Sequence, residues 1–489
     1  MKTIFTFLFF ACISITAIAQ QFQWANSYDI SNCNEVAAID ADSEGNIYIA
    51  GVHDAPVNLP YKGPAYIQKT DPSGQTLWTD ELNGLIQIGD MATVGDKILI
   101  IGQSDWPFSY RDEQYGEGQY FMFVIMLDEN GDVLWHFSDV TKFGSYTNIA
   151  LGNTGDIALH IRGQYNLGDW IYVVDPDGNI LQQKHISAQF TMVMDIAYWD
   201  GKVYFNGSFN GPGSTMVDTI LVELPDFENA SITMGFDENL TAQWLYTGQT
   251  INNQTGKIIA GENGLYVYEP LIDQFFNTIN SLKYFDFDGE LRNETDIPFY
   301  SSFTTIRPDL TVSPSMIGLM ARNSFGESNH IVFLYDHELN LLAEKEIIGS
   351  SGFRSGQISH FQDDFFVSHI HSGNLNFDDE ISLDYTGSEN CPYIAKVKTT
   401  STDIAESPGS DIPFLIYPNP AAQFISVELP GNILSGSKLV ITDASGKMIL
   451  EAQTTGPTTR IDVNQLPAGL YFVEAKTNSG IMRQKILKY

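Results

Sequence analysis

The stretch VAAIDADSEGNIYIAG, Val36 to Gly51, places apolar and β-branched residues on both sides of an Asp- and Gly-rich turn, and reads as a tight hairpin. A little further on, YIQKTDPSGQTLW, Tyr66 to Trp78, is a strand ending in Asp, a turn and a second strand. Working outward, the first pattern returns at DMATVGDKILIIG, IALGNTGDIALHIRG, DIAYWDGKVYFNG, IIAGENGLYVYEP, LTVSPSMIGLMAR and ISHFQDDFFVSHIH. Taking the turns at Gly45, Gly95, Gly155, Gly201, Gly264, Ser315 and Asp364, the intervals are 50, 60, 46, 63, 51 and 49 residues, too long for a hairpin and right for four strands.

The second pattern fills the gaps. Its aspartates are Asp71, Asp128, Asp175, Asp237, Asp286 and Asp336, and Trp78, Trp135 and Trp244 each follow one of them by seven positions. A seventh copy breaks off: Cys391 to Thr399 supplies its first strand and then runs into a linker. Phe22-Gln23-Trp24 aligns with Thr76-Leu77-Trp78, so the N-terminal segment is expected to supply the missing outer strand. Seven four-stranded repeats, the last split between the two ends of the array, predict an all-β fold, a seven-bladed β-propeller closed by the N-terminal strand. An open solenoid has no reason to divide a repeat this way.

The paired motif, clearest at Asp42 to Gly51 and Tyr66 to Trp78, resembles the SBBP type of bacterial β-propeller repeat. That resemblance implies a fold found in secreted and surface proteins of many roles, and little about activity.

Composition agrees. Aromatic residues at 12%, 41 glycines and only 17% charged residues suit a strand-rich chain with many turns better than a helical bundle. Sixty acidic against 25 basic residues give a formal charge of −35, which argues against nucleic-acid binding. Residues 1–19 read as a signal peptide, with Lys2, an apolar run and Ala17-Ile18-Ala19 before cleavage between Ala19 and Gln20. No later run is long and apolar enough for a transmembrane helix, so the mature chain is expected to lack one.

The propeller is assigned to residues 20–398, an exposed linker to 399–413 and a second domain to 414–489. The second domain shows short alternating strands, ISVEL, KLVITDASGKMILEA, TRIDV, LYFVEA and MRQKIL, expected to form a small Ig-like β-sandwich. It resembles the C-terminal sorting domain of type IX (Por) secretion cargo in the Bacteroidetes, through Tyr417-Pro418-Asn419-Pro420, the Asp443 to Gly446 turn, the run from Leu466 to Val473 that holds Gly469 and Tyr471, and the end Lys485-Ile486-Leu487-Lys488-Tyr489. The resemblance implies that the type IX machinery is a partner and that the protein is secreted across the outer membrane, to the cell surface or the medium. Charge divides in the same way: residues 413–489 hold five acidic and seven basic residues, whereas 20–412 hold 55 and 17, a net −38.

Cys33 and Cys391 remain once Cys12 leaves with the signal. In the alignment of the split repeat both lie beyond the hairpin end away from its missing turn, so they are expected to be neighbours and, in an oxidising compartment, a disulfide; two free buried thiols are the alternative. Asp40 to Gly45 imitates the start of a calcium loop but has no acid at its twelfth position, so turn chemistry accounts for it. His360, His369 and His371 share one hairpin, and Asp378 or Glu380 would have to fold back to complete a metal set; no metal is assigned. No nucleophile elbow, zinc-protease, phosphate-loop or dinucleotide motif occurs, and no catalytic residue or cofactor is assigned.

The long links between hairpins gather on one face of the predicted ring. They carry Trp106, Tyr110, Tyr115, Phe377, Asp378, Asp379 and Tyr385, aromatic and acidic residues expected to be exposed and to grip an extracellular ligand, a carbohydrate or a protein. A binding or display module without catalysis follows. The alternative is a secreted hydrolase or lyase, which would converge carboxylates, His, Arg or Tyr on the mouth of the central channel.

Overall fold

In the computed structural model, the described residues are 19–400 and 415–488, except 31, 57, 60, 141–146, 164–167, 187–190, 210–212, 225–228, 251–255, 273–277, 298–307, 324–328, 350–355, 378–380, 385–388, 418–420, 422, 429–437, 444–447, 455, 457, 468 and 478–479. All regular structure among them is β, without an α-helix. The chain divides into one compact unit of Ile18–Thr400 and another that takes in Ser401–Tyr489.

The larger unit is a succession of four-stranded antiparallel repeats. The first holds Cys33–Ala41, Ile47–His53, Gly63–Thr70 and the start of Thr76–Val94. That last strand runs on without a break to become the inner strand of the second repeat, beside Lys97–Ser104, Phe121–Leu127 and Val133–Asp139. The third repeat is Thr147–Leu151, Ile157–Arg162, Asp169–Val174 and Ile180–Ile186; the fourth is Thr191–Trp199, Lys202–Phe209, Asn229–Phe236 and Ala242–Thr250. The fifth is Lys257–Gly261, Gly264–Ile272, Thr278–Phe285 and Leu291–Ile297; the sixth is Asp309–Val312, Ile317–Asn323, Asn329–Tyr335 and Leu341–Ile348. The final sheet joins Gln357–Phe361, Asp364–His371 and Cys391–Thr400 to the N-terminal strand Ala19–Ser27, which pairs from Ala19 with Thr400 to Ser27 with Tyr393.

Burial follows position in the repeat. Phe121–Leu127, a third strand, is buried at every residue because neighbouring sheets cover both of its faces. Val133–Asp139, the outer strand beside it, alternates between half-buried and exposed. The aspartates of the second pattern are turn caps: Asp71 Oδ1 accepts the amides of Ser73 and Gln75, both at 2.9 Å, and Asp175 Oδ1 accepts those of Asp177 at 3.0 Å and Asn179 at 2.8 Å. Asp42, at the calcium-like stretch, does the same for Glu44 and Asn46. The fourth turn position takes a positive φ, which Gly74 and Gly178 meet freely, and which Leu240 and Leu339 adopt although they are not glycine.

The expected disulfide is not formed. Cys33 and Cys391 do lie along the same seam, with the Cys33 amide donating to Asn390 O at 3.0 Å, but no bond joins their sulfurs and both are buried thiols. The Cys33 sulfur is engaged elsewhere, 3.5 Å from the Glu35 carbonyl oxygen and 3.4 Å from the Tyr66 hydroxyl.

In the smaller unit, a sheet of Leu415–Tyr417, Phe424–Glu428 and Thr458–Asp462 and another of Met448–Gln453, Lys438–Asp443, Gly469–Thr477 and Gly480–Lys488 share one apolar core, with Ile425, Val427 and Ile461 from the first and Leu439, Ile441, Val473 and Ile486 from the second.

Candidate functional site: the central cavity and its rim

The inner strands of successive repeats touch in order, and Gln357–Phe361 returns to Cys33–Ala41. Between them lies a cavity of about 710 Å³ lined by residues from all of these strands. One polar residue of each inner strand faces the next repeat, and together these residues form a relay. Asp40 Oδ2 accepts the Thr93 amide at 2.7 Å, Asp90 Oδ2 the Ile149 amide at 2.8 Å, Asp195 Oδ2 the Ile258 amide at 3.0 Å and Asp309 Oδ2 the Ile358 amide at 2.9 Å. Asn148 Nδ2 donates to Met194 O at 3.1 Å, Lys257 Nζ reaches Asp309 Oδ1 at 3.2 Å, and Ser359 Oγ donates to Asp40 Oδ1 at 2.7 Å. Each inner strand is thereby bonded by a side chain to its successor.

Electrostatics in the cavity centre on Lys257. Its ammonium also lies 3.9 Å from Asp195 Oδ2. Burial works against the charge, but Asp195, Asp309 and Asp90 outweigh it and hold the group above the ordinary lysine range. Burial pushes the Asp90 carboxyl up to about 7 in spite of Lys257, and pushes Asp195 upward as well. Burial also lowers His360, whose Nδ1 shares a 2.8 Å hydrogen bond with Thr311 Oγ1. Such a site can hold a proton or a positively charged group. Its carboxylates, however, already accept main-chain amides, and no described group of three or more His, Cys, Asp or Glu residues could hold a metal ion.

The remaining histidines of the last hairpin are separately bonded. His371 Nε2 lies 2.6 Å from Ser27 Oγ, and the His369 ring lies 4.4 Å from that of His330. In the third repeat His160 Nε2 meets Asp169 at 2.8 Å while Nδ1 meets Asn148 Nδ2 at 2.9 Å, a buried imidazole satisfied at both nitrogens.

The long links behave differently from the expectation of open loops. The first folds into the hairpin Phe108–Tyr110 and Glu113–Tyr115, and Tyr110 pairs with Leu82 of the preceding repeat. The second forms Gly213–Val217 and Ile220–Leu224, tied to the third repeat by Lys184 and Asp218 at 2.6 Å. The third forms Leu375–Phe377 and Ile381–Leu383, and Phe377 pairs with Ile347. These hairpins clip one repeat to the one before it. Tyr110, Tyr115 and Phe377, at 1%, 5% and 0% exposure, are therefore core residues and not exposed rings. Their faces are needed to bury the hairpins against neighbouring sheets. Asp378, Asp379 and Tyr385 lie outside the described residues. Trp106 is the described aromatic of this set that stands in solvent.

Of the sorting residues, Tyr417 is exposed, Gly469 opens a strand, Tyr471 is buried with its hydroxyl donating to Pro467 O at 3.0 Å, Lys485 pairs with Phe472, and Lys488 is largely buried and bridges to Ala421. Pro418, Asn419 and Pro420 lie outside the described residues. Residues 415–489 match the family described as secretion system C-terminal sorting domain.

The C-terminal unit is a type IX sorting domain. The sorting domain indicates export by the type IX secretion system to the cell surface or extracellular space, and interaction with that machinery. Over 86 residues, 16% of the chain, the sequence is 34% identical to Karilysin of Tannerella forsythia; the match spans 18% of the length of that relative. Solved structures similar to the chain include the polysaccharide lyase Uly1, at 12% identity and TM-score 0.44 over 78% of this chain and 92% of that one. The β-propeller domain of the Trilobed protease from Pyrococcus furiosus is similar at 9% identity and TM-score 0.36 over 78% and 99%. No described helix is long and apolar enough to cross a membrane.

Proposed function

We propose that residues 20–398 are a seven-bladed β-propeller whose last blade is completed by the N-terminal strand, and that the sorting domain is an Ig-like sandwich joined to it by the linker 399–413. On this reading the signal peptide is removed between Ala19 and Gln20, and the SBBP-like repeat array is displayed outside the outer membrane as a binding module without catalysis. The relay from Asp40 through Asp90, Asn148, Asp195, Lys257 and Asp309 carries the non-catalytic part. Four of these residues are aspartates whose Oδ2 accepts a main-chain amide of the next inner strand, and that strand-to-strand role supports the reading.

Deleting Leu415 to Tyr489 tests the export half. The truncated chain is expected to fold and accumulate in the cell envelope, and its appearance in the medium at the level of the full chain would remove the sorting domain's role. Cleavage of any extracellular polymer by the purified protein, lost on changing Asp90 or Asp195 to Asn, would replace the display reading by an enzymatic one.

A further inference from the structure

The charges on the cavity wall do not balance. Four aspartates line it, Asp40, Asp90, Asp195 and Asp309, against one lysine, Lys257, and no arginine among the described residues. Lys257 stands between Asp195 and Asp309, at 3.9 and 3.2 Å, so the counter-charge is held to one side of the cavity. His360 adds none near neutral pH, because burial lowers it. Asp90 registers the deficit: burial raises its carboxyl to about 7 although Lys257 pulls it down, and a buried charge stays costly until an opposite one stands beside it. Asn148 marks the place. It is 7% exposed and lines the cavity. Its Nδ2 donates to Met194 O at 3.1 Å and to His160 Nδ1 at 2.9 Å, and because a carbonyl only accepts, the amide cannot be turned round. Its Oδ1 is thereby left on the other branch with no donor among the described residues, whereas a buried acceptor ordinarily has one. Asp90 Oδ2 takes the amide of Ile149, next to Asn148, and Met194 is next to Asp195, so Asp90, Asn148 and Asp195 follow one another on adjacent inner strands.

We propose that the arc of Asp90, Asn148 and Asp195 binds the ammonium group of a small aliphatic amine, whose stem lies along the apolar part of the cavity wall. The proposal rests on the display reading and gives it a ligand. An ammonium is a cation with three donors and no acceptor, which suits two carboxylates and an amide oxygen. A carboxylate offers about four lone-pair sites, so Asp90, after accepting the amides of Met91 and Ile149, keeps about two. The half-buried Ala37, Ile149 and Ile259 give the stem an apolar surface, and Leu151, 37% exposed, carries the wall out to solvent. A cavity of about 710 Å³ is large for a bare ion and takes an organic cation. The excess of carboxylates repels anionic ligands and attracts cationic ones.

The test uses the full mature chain and titration calorimetry with cadaverine, butylamine, glutarate, potassium chloride and a lysine-rich peptide. Cadaverine and butylamine are expected to bind at a single saturable site and glutarate not to. Asp90→Asn and Asp195→Asn, which keep acceptors for the Ile149 and Ile258 amides, should each weaken amine binding about tenfold or more with circular dichroism unchanged. Asp96→Asn, at an exposed carboxylate outside the cavity, should leave binding as it is. A rise in the wild-type melting temperature with cadaverine and none with glutarate reads the same site without a substitution. No saturable binding of either amine, equal binding of glutarate, displacement of the amines by equimolar potassium, binding of the peptide alone, or affinity unaltered in both cavity variants overturns the proposal and leaves the display reading untouched. Conversion of the bound amine, read by chromatography of the same mixtures, would instead overturn the non-catalytic reading and leave the site standing.

Discussion

Trp24 lies over Gly74: a β-carbon added to that glycine would stand 2.7 Å from the indole. The same relationship joins Trp135 to Gly178 and Trp244 to Gly289. Trp24 comes from the N-terminal strand, yet it meets the turn of the first repeat just as the tryptophans of complete repeats meet the turns that follow them. Asn26 Nδ2 and the Tyr28 hydroxyl add hydrogen bonds to Gly74 O at 3.1 and 3.0 Å.

Gly74→Ala is therefore expected to destabilise the larger unit by about 2–4 kcal/mol, since strain at φ +82° adds to the collision with Trp24. Gly155→Ala shares the positive φ, at +88°, but has nothing within 4 Å, and should cost only about 1 kcal/mol. Denaturant midpoints of the two variants, measured together, separate packing from backbone strain.

Leu339 presents a contest between two effects. Its φ of 65° costs about 1–2 kcal/mol, while its side chain is buried in the core with Tyr335 and Phe333. Removing a buried leucine costs about 2–5 kcal/mol, so Leu339→Gly is expected to lower stability in spite of relieving the backbone, and a stabilised variant would reverse that ordering.

Asp90 makes stability depend on pH. With its carboxyl raised to about 7 by burial, the folded chain binds the proton more tightly than the unfolded chain, where an aspartate titrates near about 4. The contribution is complete below that lower value and is lost as pH rises through about 7. Asp90→Asn should flatten the fall in melting temperature between pH 5 and 8 relative to wild type, its amide oxygen still accepting the Ile149 N–H.

The two thiols should be silent in the native protein. Burial pushes Cys33 up to about 12, so almost none of that sulfur is thiolate at neutral pH, and Cys391 is shielded by its burial. Ellman's reagent is expected to find no reactive sulfur in the mature native chain and two in denaturant.

The repeats, the turn aspartates and the place of the N-terminal strand could be read from sequence because they rest on local turn chemistry and on one recurring spacing. The relay around the cavity was also written there. Asp90, Asn148, Asp195, Lys257 and Asp309 each directly precede an apolar residue of an inner strand, but the register becomes meaningful only when the next strand is alongside. The exposed reading of Tyr110, Tyr115 and Phe377 failed because a link's burial is decided by the neighbouring repeat. Alternation in Phe108-Ser109-Tyr110 and Leu375-Asn376-Phe377 was the available sign of strands with an inner face.

The pairing of Ala19–Ser27 with Cys391–Thr400 sets an order of events during biosynthesis. The two strands lie about 380 positions apart, so Ala19–Ser27 has no edge to join until Cys391–Thr400 has emerged. Until then each carries unsatisfied main-chain groups along one edge that a translocation apparatus or a holdase can cover. That pairing comes late, and a chain truncated before Cys391 should leave the ribosome with unpaired strand edges and a strong tendency to associate with its own kind.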